Sequence, residues 1–137
     1  MNTLRLKIIT PKKIVLEEEV LSVTAPAETG EITILPKHMK LFTLLVEGII
    51  KIKKTNEEDY LAIGGGYLQT DGRELNVLVS RAYGQKEIDE KLTEKAIEEA
   101  KKIISLTKDR QQRVEAAALL RRSIVDMKLL KKRKRPV

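Results

Sequence analysis

From Thr3 to about Ala82, apolar and polar residues alternate with period two, broken by turn residues about every eight to twelve positions; near Gln85 the spacing becomes helical. A chain with that switch divides into a β part, patterned as a sandwich or barrel, and a helical part. The division falls between residues 1–85 and 86–137.

In the β part, Leu4, Leu6 and Ile8 alternate with Arg5 and Lys7, and Ile14 to Leu16 and Val20 to Ala25 read as two further strands. Glu17-Glu18-Glu19 between them reads as a solvated charged bend, since adjacent strand positions point to opposite faces and cannot converge on one ion. A two-run stretch with a sharp corner follows. Ile32 and Ile34 alternate with Glu31 and Thr33 after Gly30, Pro36 ends the run because it has no N–H for a ladder, and Leu41 to Leu45 resumes. Lys37 and His38 are thereby expected on a polar corner at the edge of a sheet whose body is buried. Gly48 to Lys54 and Tyr60 to Ile63 form a hairpin about the polar cluster Asn56 to Asp59. Gly64-Gly65-Gly66 lacks the following helix that a phosphate loop requires and reads as a bulge or tight crossing. Asp71-Gly72 marks a hairpin between Tyr67 to Thr70 and Glu74 to Ser80.

The first helix starts at Asp89 as N-cap, with acidic residues near its positive end, Lys101 and Lys102 at its negative end, and an apolar stripe of Leu92, Ala96, Ala100, Ile103 and Ile104. After a break at Ser105 to Asp109, a second helix from about Arg110 pairs with it as an antiparallel hairpin. Its apolar residues, from Val114 through Leu119, Leu120 and Ile124 to Leu130, span an arc wider than one neighbouring helix can cover, with Arg121 and Lys128 inside it. Part of that surface calls for another partner.

One histidine and no cysteine leave no material for nucleophilic triads, thiolate chemistry or His-rich metal sites, and nothing in sequence orients His38 for catalysis; it reads as a corner or interface residue. No run approaches the roughly 20 apolar residues of a spanning helix, and with Met1-Asn2-Thr3 leading into an alternating strand no targeting segment is expected. The net charge of +7 is uneven. Residues 107–137 hold 11 Lys and Arg against 3 acids, whereas residues 1–106 hold 16 against 17. A separable basic segment points to an acidic partner: nucleic acid, anionic lipid or an acidic protein surface. Lys131-Lys132-Arg133-Lys134-Arg135 resembles a nucleic-acid patch but reads as a solvated helix end, and 3% aromatic residues argue against base stacking.

The run Gly30-Glu31-x-x-Ile34-x-Pro36-x-His38 with Leu41-x-x-Leu44, and the block Ile63-Gly64-Gly65-Gly66-Tyr67-Leu68 with Val77-x-Val79 and Arg81-Ala82, resemble the epsilon subunit of F-type ATP synthases, in order and over nearly the whole chain. The resemblance implies an all-β N-terminal sandwich of about ten strands followed by a C-terminal antiparallel two-helix hairpin. It implies a non-catalytic subunit of the rotating central stalk that couples ion-driven rotation of the c-subunit ring to ATP synthesis. The sandwich would dock on the gamma subunit and the c-ring, with Glu31, Lys37 and His38 on the ring-facing edge. The hairpin would have two states, folded or extended along gamma towards acidic surfaces of the beta (and alpha) subunits, where it restrains ATP hydrolysis. Arg113, Arg121, Arg122 and Lys128 are candidates for that contact.

Two departures stand out. Lys37 occupies the position of the family's usual Gly, and Met39-Lys40 that of its frequent Ala-Pro. Some bacterial members bind ATP through Ile/Leu-Asp-x-x-Arg-Ala; Ile88 and Asp89 match, but Leu92 and Thr93 stand where Arg and Ala belong. Without the arginine's charge-assisted donors, weak or no ATP binding and no other cofactor are expected. The implied place is peripheral, at the cytoplasmic face of a bacterial plasma membrane, with the plastid thylakoid as second placement. Two other classes remain: a β scaffold that binds nucleic acid through the basic tail, with affinity falling steeply with salt, and an enzyme, which would show turnover.

Overall fold

A computed structural model describes residues 2–37 and 40–132. Ten strands come first: β1 (Leu4–Ile9), β2 (Ile14–Val20), β3 (Ser22–Ala27), β4 (Gly30–Ile34), β5 (Leu41–Leu45), β6 (Gly48–Lys53), β7 (Glu58–Ile63), β8 (Gly66–Thr70), β9 (Glu74–Val79) and β10 (Ala82–Tyr83). A 3₁₀ turn over Gln85–Glu87 then leads to α1 (Glu90–Leu106) and α2 (Arg110–Lys131). The chain divides into two compact units between Gly84 and Gln85.

In the β unit the strand order is β10-β7-β6-β3-β5-β8-β9-β1-β2, with β4 on β3. β1 and β9 are parallel; the other pairings are antiparallel. β3 and β5 share the single pair Ala27↔Leu45, so the sheet folds over there into two layers. Between them lies an Ile, Leu and Val core in which Leu4, Leu6, Ile8, Val23, Ile50, Ile52, Leu68, Leu75 and Val77 are fully buried. Their strict alternation with outward residues is why these segments become strands: only one register buries every apolar side chain of a run.

The glutamate run corrects the sequence reading. Glu17, Glu18 and Glu19 form no bend but continue β2, and the chain breaks instead at Leu21. Opposite charges face each other across β1 and β2. Lys7 pairs opposite Glu17 and Arg5 opposite Glu19, with ion pairs of 3.7 and 3.9 Å. Glu18 projects from the other face, opposite Leu6, and is 2.6 Å from Lys54 Nζ, which is equally close to Asp59. Burial disfavours the Lys54 ammonium, but its hydrogen bonds to Asp59 and Glu18 outweigh that cost and raise its pKa.

The triple glycine is a tight crossing. Gly64 N–H donates to Arg81 C=O and Ser80 N–H to Gly65 C=O, and a Cβ on Gly66 would lie 1.9 Å from Leu78 O. At the β8–β9 turn, Gly72 has φ 94°, and the Asp71 carboxylate accepts from the N–H groups of Arg73 and Glu74 at 2.9 Å each. Those backbone donors, Glu74 first, hold its carboxyl below the usual carboxylate range.

In the helical unit Asp89 is the N-cap expected from sequence, and Asp109, read from sequence as part of the break, caps α2. Asp89 accepts from Leu92 N–H, and Asp109 from Gln111 N–H, each at 3.0 Å. The buried face of α1 differs from the expected stripe. Thr93 and Ala100 are buried and Ile97 and Ile104 half-buried, whereas Leu92 is 65% exposed and Ile103 also faces solvent. The face is rotated by about 45° from the hydrophobic stripe, because small Ala100 and a Thr93 whose hydroxyl donates to Asp89 C=O can enter a close-packed seam.

Candidate functional site

Two surfaces of the β unit and one of the helical unit carry exposed residues that a self-sufficient domain has no need of. The first is the corner between β4 and β5. β4 pairs only with β3 among the described residues, so its other side is a free edge. Glu31 lies at its start and Lys37 beyond its end, both exposed and separated by roughly 15–20 Å at normal strand rise. The structure therefore spreads these two residues along the length of an edge strand instead of gathering them at one point. His38 lies outside the described residues.

Lys37 has φ 62°, the left-handed region, and its N–H donates to Gly72 C=O at 2.9 Å. That bond ties the corner to the β8–β9 turn. A side chain in this conformation costs about 1–2 kcal/mol over glycine, so Lys37→Gly is expected to stabilise the β unit by about 0.5–1 kcal/mol after the extra entropy that glycine gives the unfolded chain. A urea midpoint that rises at unchanged slope is the expected readout, and a fall would contradict the strain.

The second surface is the outer face of β5. Sequence reading placed Leu41 to Leu45 as buried strand body, but only Leu45 is buried; Phe42 is 60% and Leu44 51% exposed. The register sets Leu44 opposite Tyr67, Tyr67 opposite Leu78 and Leu78 opposite Ile9, an apolar row across four strands. Phe42 tilts onto Tyr67 with ring centroids 5.2 Å apart. Beside it opens a cleft of about 410 Å³ lined by Lys40, Leu41, Phe42, Gln69, Thr70, Asp71, Glu74 and Asn76. Sequence reading missed Phe42, Leu44 and Tyr67 because Leu-Phe-Thr-Leu-Leu shows no polar alternation; the signal was a lone Phe in an aromatic-poor chain.

The third surface is on α2. Ala116, Leu120, Ser123, Met127 and Leu130 recur at spacings of four and three on its covered side. Val114, Leu119 and Ile124 remain exposed, as do Arg113, Arg121, Arg122 and Lys128. The wide apolar arc is thus split between a covered seam and an open face carrying cations. Asp89, the surviving acid of the ATP motif, has its carboxylate engaged as the α1 cap. Among the described residues no three His, Asp or Glu side chains gather as a metal site, and no helix is long and apolar enough to cross a membrane.

Residues 3–85 match the family of the ATP synthase delta/epsilon chain β-sandwich domain. The ATP synthase epsilon chain of Sulfurimonas denitrificans is 36% identical over 110 residues, 80% of this chain and 85% of that one. This chain belongs to the ATP synthase epsilon chain family. The chloroplastic epsilon chain of Nicotiana tabacum is 31% identical, covering 88% of this chain and 91% of that one, so the relatives are both bacterial and chloroplast proteins. The fold extends further. A chain in the mitochondrial ATP synthase of Euglena gracilis (OSCP/F1/c-ring) superposes with TM-score 0.83 at 22% identity, covering 93% of this chain and 81% of that one. A chain of the Tetrahymena thermophila central stalk and c-ring gives 0.61 at 15%, covering 93% and 96%. The ten-strand sandwich and the two helices are therefore a fold shared with chains of both of these ATP synthases.

Proposed function

We propose that this epsilon-family chain is the non-catalytic central-stalk subunit of a bacterial ATP synthase, held at the cytoplasmic face of the plasma membrane through the complex. The observation that carries this reading is the apolar outer face of Phe42, Leu44 and Tyr67 on an otherwise closed sandwich. Exposed aromatic and aliphatic side chains in one row mark a docking site. Gamma is the partner we assign to that face. The free edge of β4, with Glu31 and the Lys37 corner, is left to meet the c-ring, and His38 belongs to the same segment. The open basic face of α2, with Arg113, Arg121, Arg122 and Lys128, suits acidic surfaces of the beta subunits, where the hairpin would restrain ATP hydrolysis. No nucleotide site is assigned, since Leu92 replaces the needed arginine and Asp89 caps a helix.

Purified gamma is expected to retain the chain in a pull-down. The full chain is expected to slow hydrolysis by the catalytic head with gamma several-fold more than a chain ending at Lys86. Equal rates with both would remove the inhibitory role of the hairpin, and failure to bind gamma would remove the stalk role.

A further inference from the structure

The helical unit contains a contact that its two helices do not require. Gln85, at its start, donates from Nε2 to Leu129 C=O at 2.6 Å and to Lys132 C=O. Those carbonyls lie in the last turn and at the C-cap of α2, 44 and 47 residues further along. A helix end leaves its final carbonyls without intrahelical donors, and among the described residues α2's own backbone caps it through Lys132 N–H to Leu129 C=O at 3.0 Å. One side-chain amide has two N–H groups, enough for both acceptors. The same turn anchors Leu129, which is fully buried.

We propose that Gln85 is a latch that clamps the exit of the hairpin to its beginning and biases it towards the compact state. Once Gln85 lets go, α2's last turn loses this side-chain donor and the hairpin loses a bond that closes its open end; the opposite end is already joined by the chain through Thr107 and Asp109. The latch is a positioning device for the inhibitory hairpin, so its functional consequence rests on the reading above, while its structural consequence does not.

The test compares full-length Gln85→Leu, of similar size without a donor, with Gln85→Lys, whose ammonium can reach helix-end carbonyls and is favoured there by the dipole. Hydrogen exchange of the amides at 126–132 is expected to quicken about three- to tenfold in Gln85→Leu, the loss of one to two hydrogen bonds, and to stay near wild type in Gln85→Lys. Unchanged exchange in the β strands shows that Gln85→Leu is folded. Wild-type exchange at 126–132 in Gln85→Leu overturns the latch. Faster exchange together with stronger suppression of hydrolysis by the head with gamma supports it in full. Faster exchange with unaltered suppression, where wild type still suppresses, overturns the bias towards the compact state. If wild type itself does not suppress, the inhibitory reading fails and the exchange result alone decides the latch.

Discussion

A Gly66→Ala chain is expected to lose about 3 kcal/mol of sandwich stability, whereas Gly65→Ala is expected to stay within about 0.5 kcal/mol of wild type. The contrast comes from what a methyl would meet. At Gly66 it would lie 1.9 Å from Leu78 O and 2.7 Å from Val79 Cα, backbone atoms of β9 fixed by the β8–β9 and β1–β9 ladders. Neither strand can retreat without breaking pairs on its far side, so the insertion strains a region rather than one rotamer. At Gly65 the nearest atom is Leu45 O at 3.5 Å, ordinary contact. Gly64 is intermediate, since its methyl would meet the Ser80 and Arg81 side chains, and the Arg81 guanidinium is held by an ion pair to Glu47. Urea unfolding followed by tyrosine emission measures this cleanly. Tyr60, Tyr67 and Tyr83 all lie before the helical unit, which has no aromatic residue. Equal midpoints for Gly66→Ala and Gly65→Ala would show that β9 yields.

That glycine run was legible as a tight crossing because glycines with no helix after them have few other uses, but which of the three is essential depended on β9 lying against β8. The same division runs through the molecule. Leu4, Leu6 and Ile8 announced their strand, and Asp89 its helix, because period and capping are local. The glutamates of β2 were misread because their partners, Arg5, Lys7 and Lys54, are set by pairing that the run itself does not encode. Counting apolar positions on α1 gave a stripe but not the buried line, since Thr93 enters the seam by satisfying its own hydroxyl while Leu92 stays out. Gln85 was invisible for a stronger reason: its acceptors are backbone carbonyls, which every residue has, and only the turn before α1 and the end of α2 in place could bring them together.

The docking face gives the largest functional effect. Phe42→Asp with Leu44→Asp is expected to weaken binding to gamma at least about a hundredfold, equivalent to about 2.7 kcal/mol. Two carboxylates placed in the middle of an apolar contact must be desolvated, and the row Leu44, Tyr67, Leu78, Ile9 offers no cation to pair with them. Both side chains are more than half exposed in this chain, so the sandwich should unfold at nearly the wild-type urea concentration, which separates lost docking from lost folding. Lys12→Glu, an exposed charge change in the β1–β2 turn, serves as the electrostatic control and is expected to shift affinity less than about threefold. If the double variant binds gamma as wild type does, gamma must engage a different face, and the exposed Phe42 is left to some other component of the complex. If it loses gamma and with it the suppression of hydrolysis, the hairpin acts only on a stalk to which the sandwich has already anchored it.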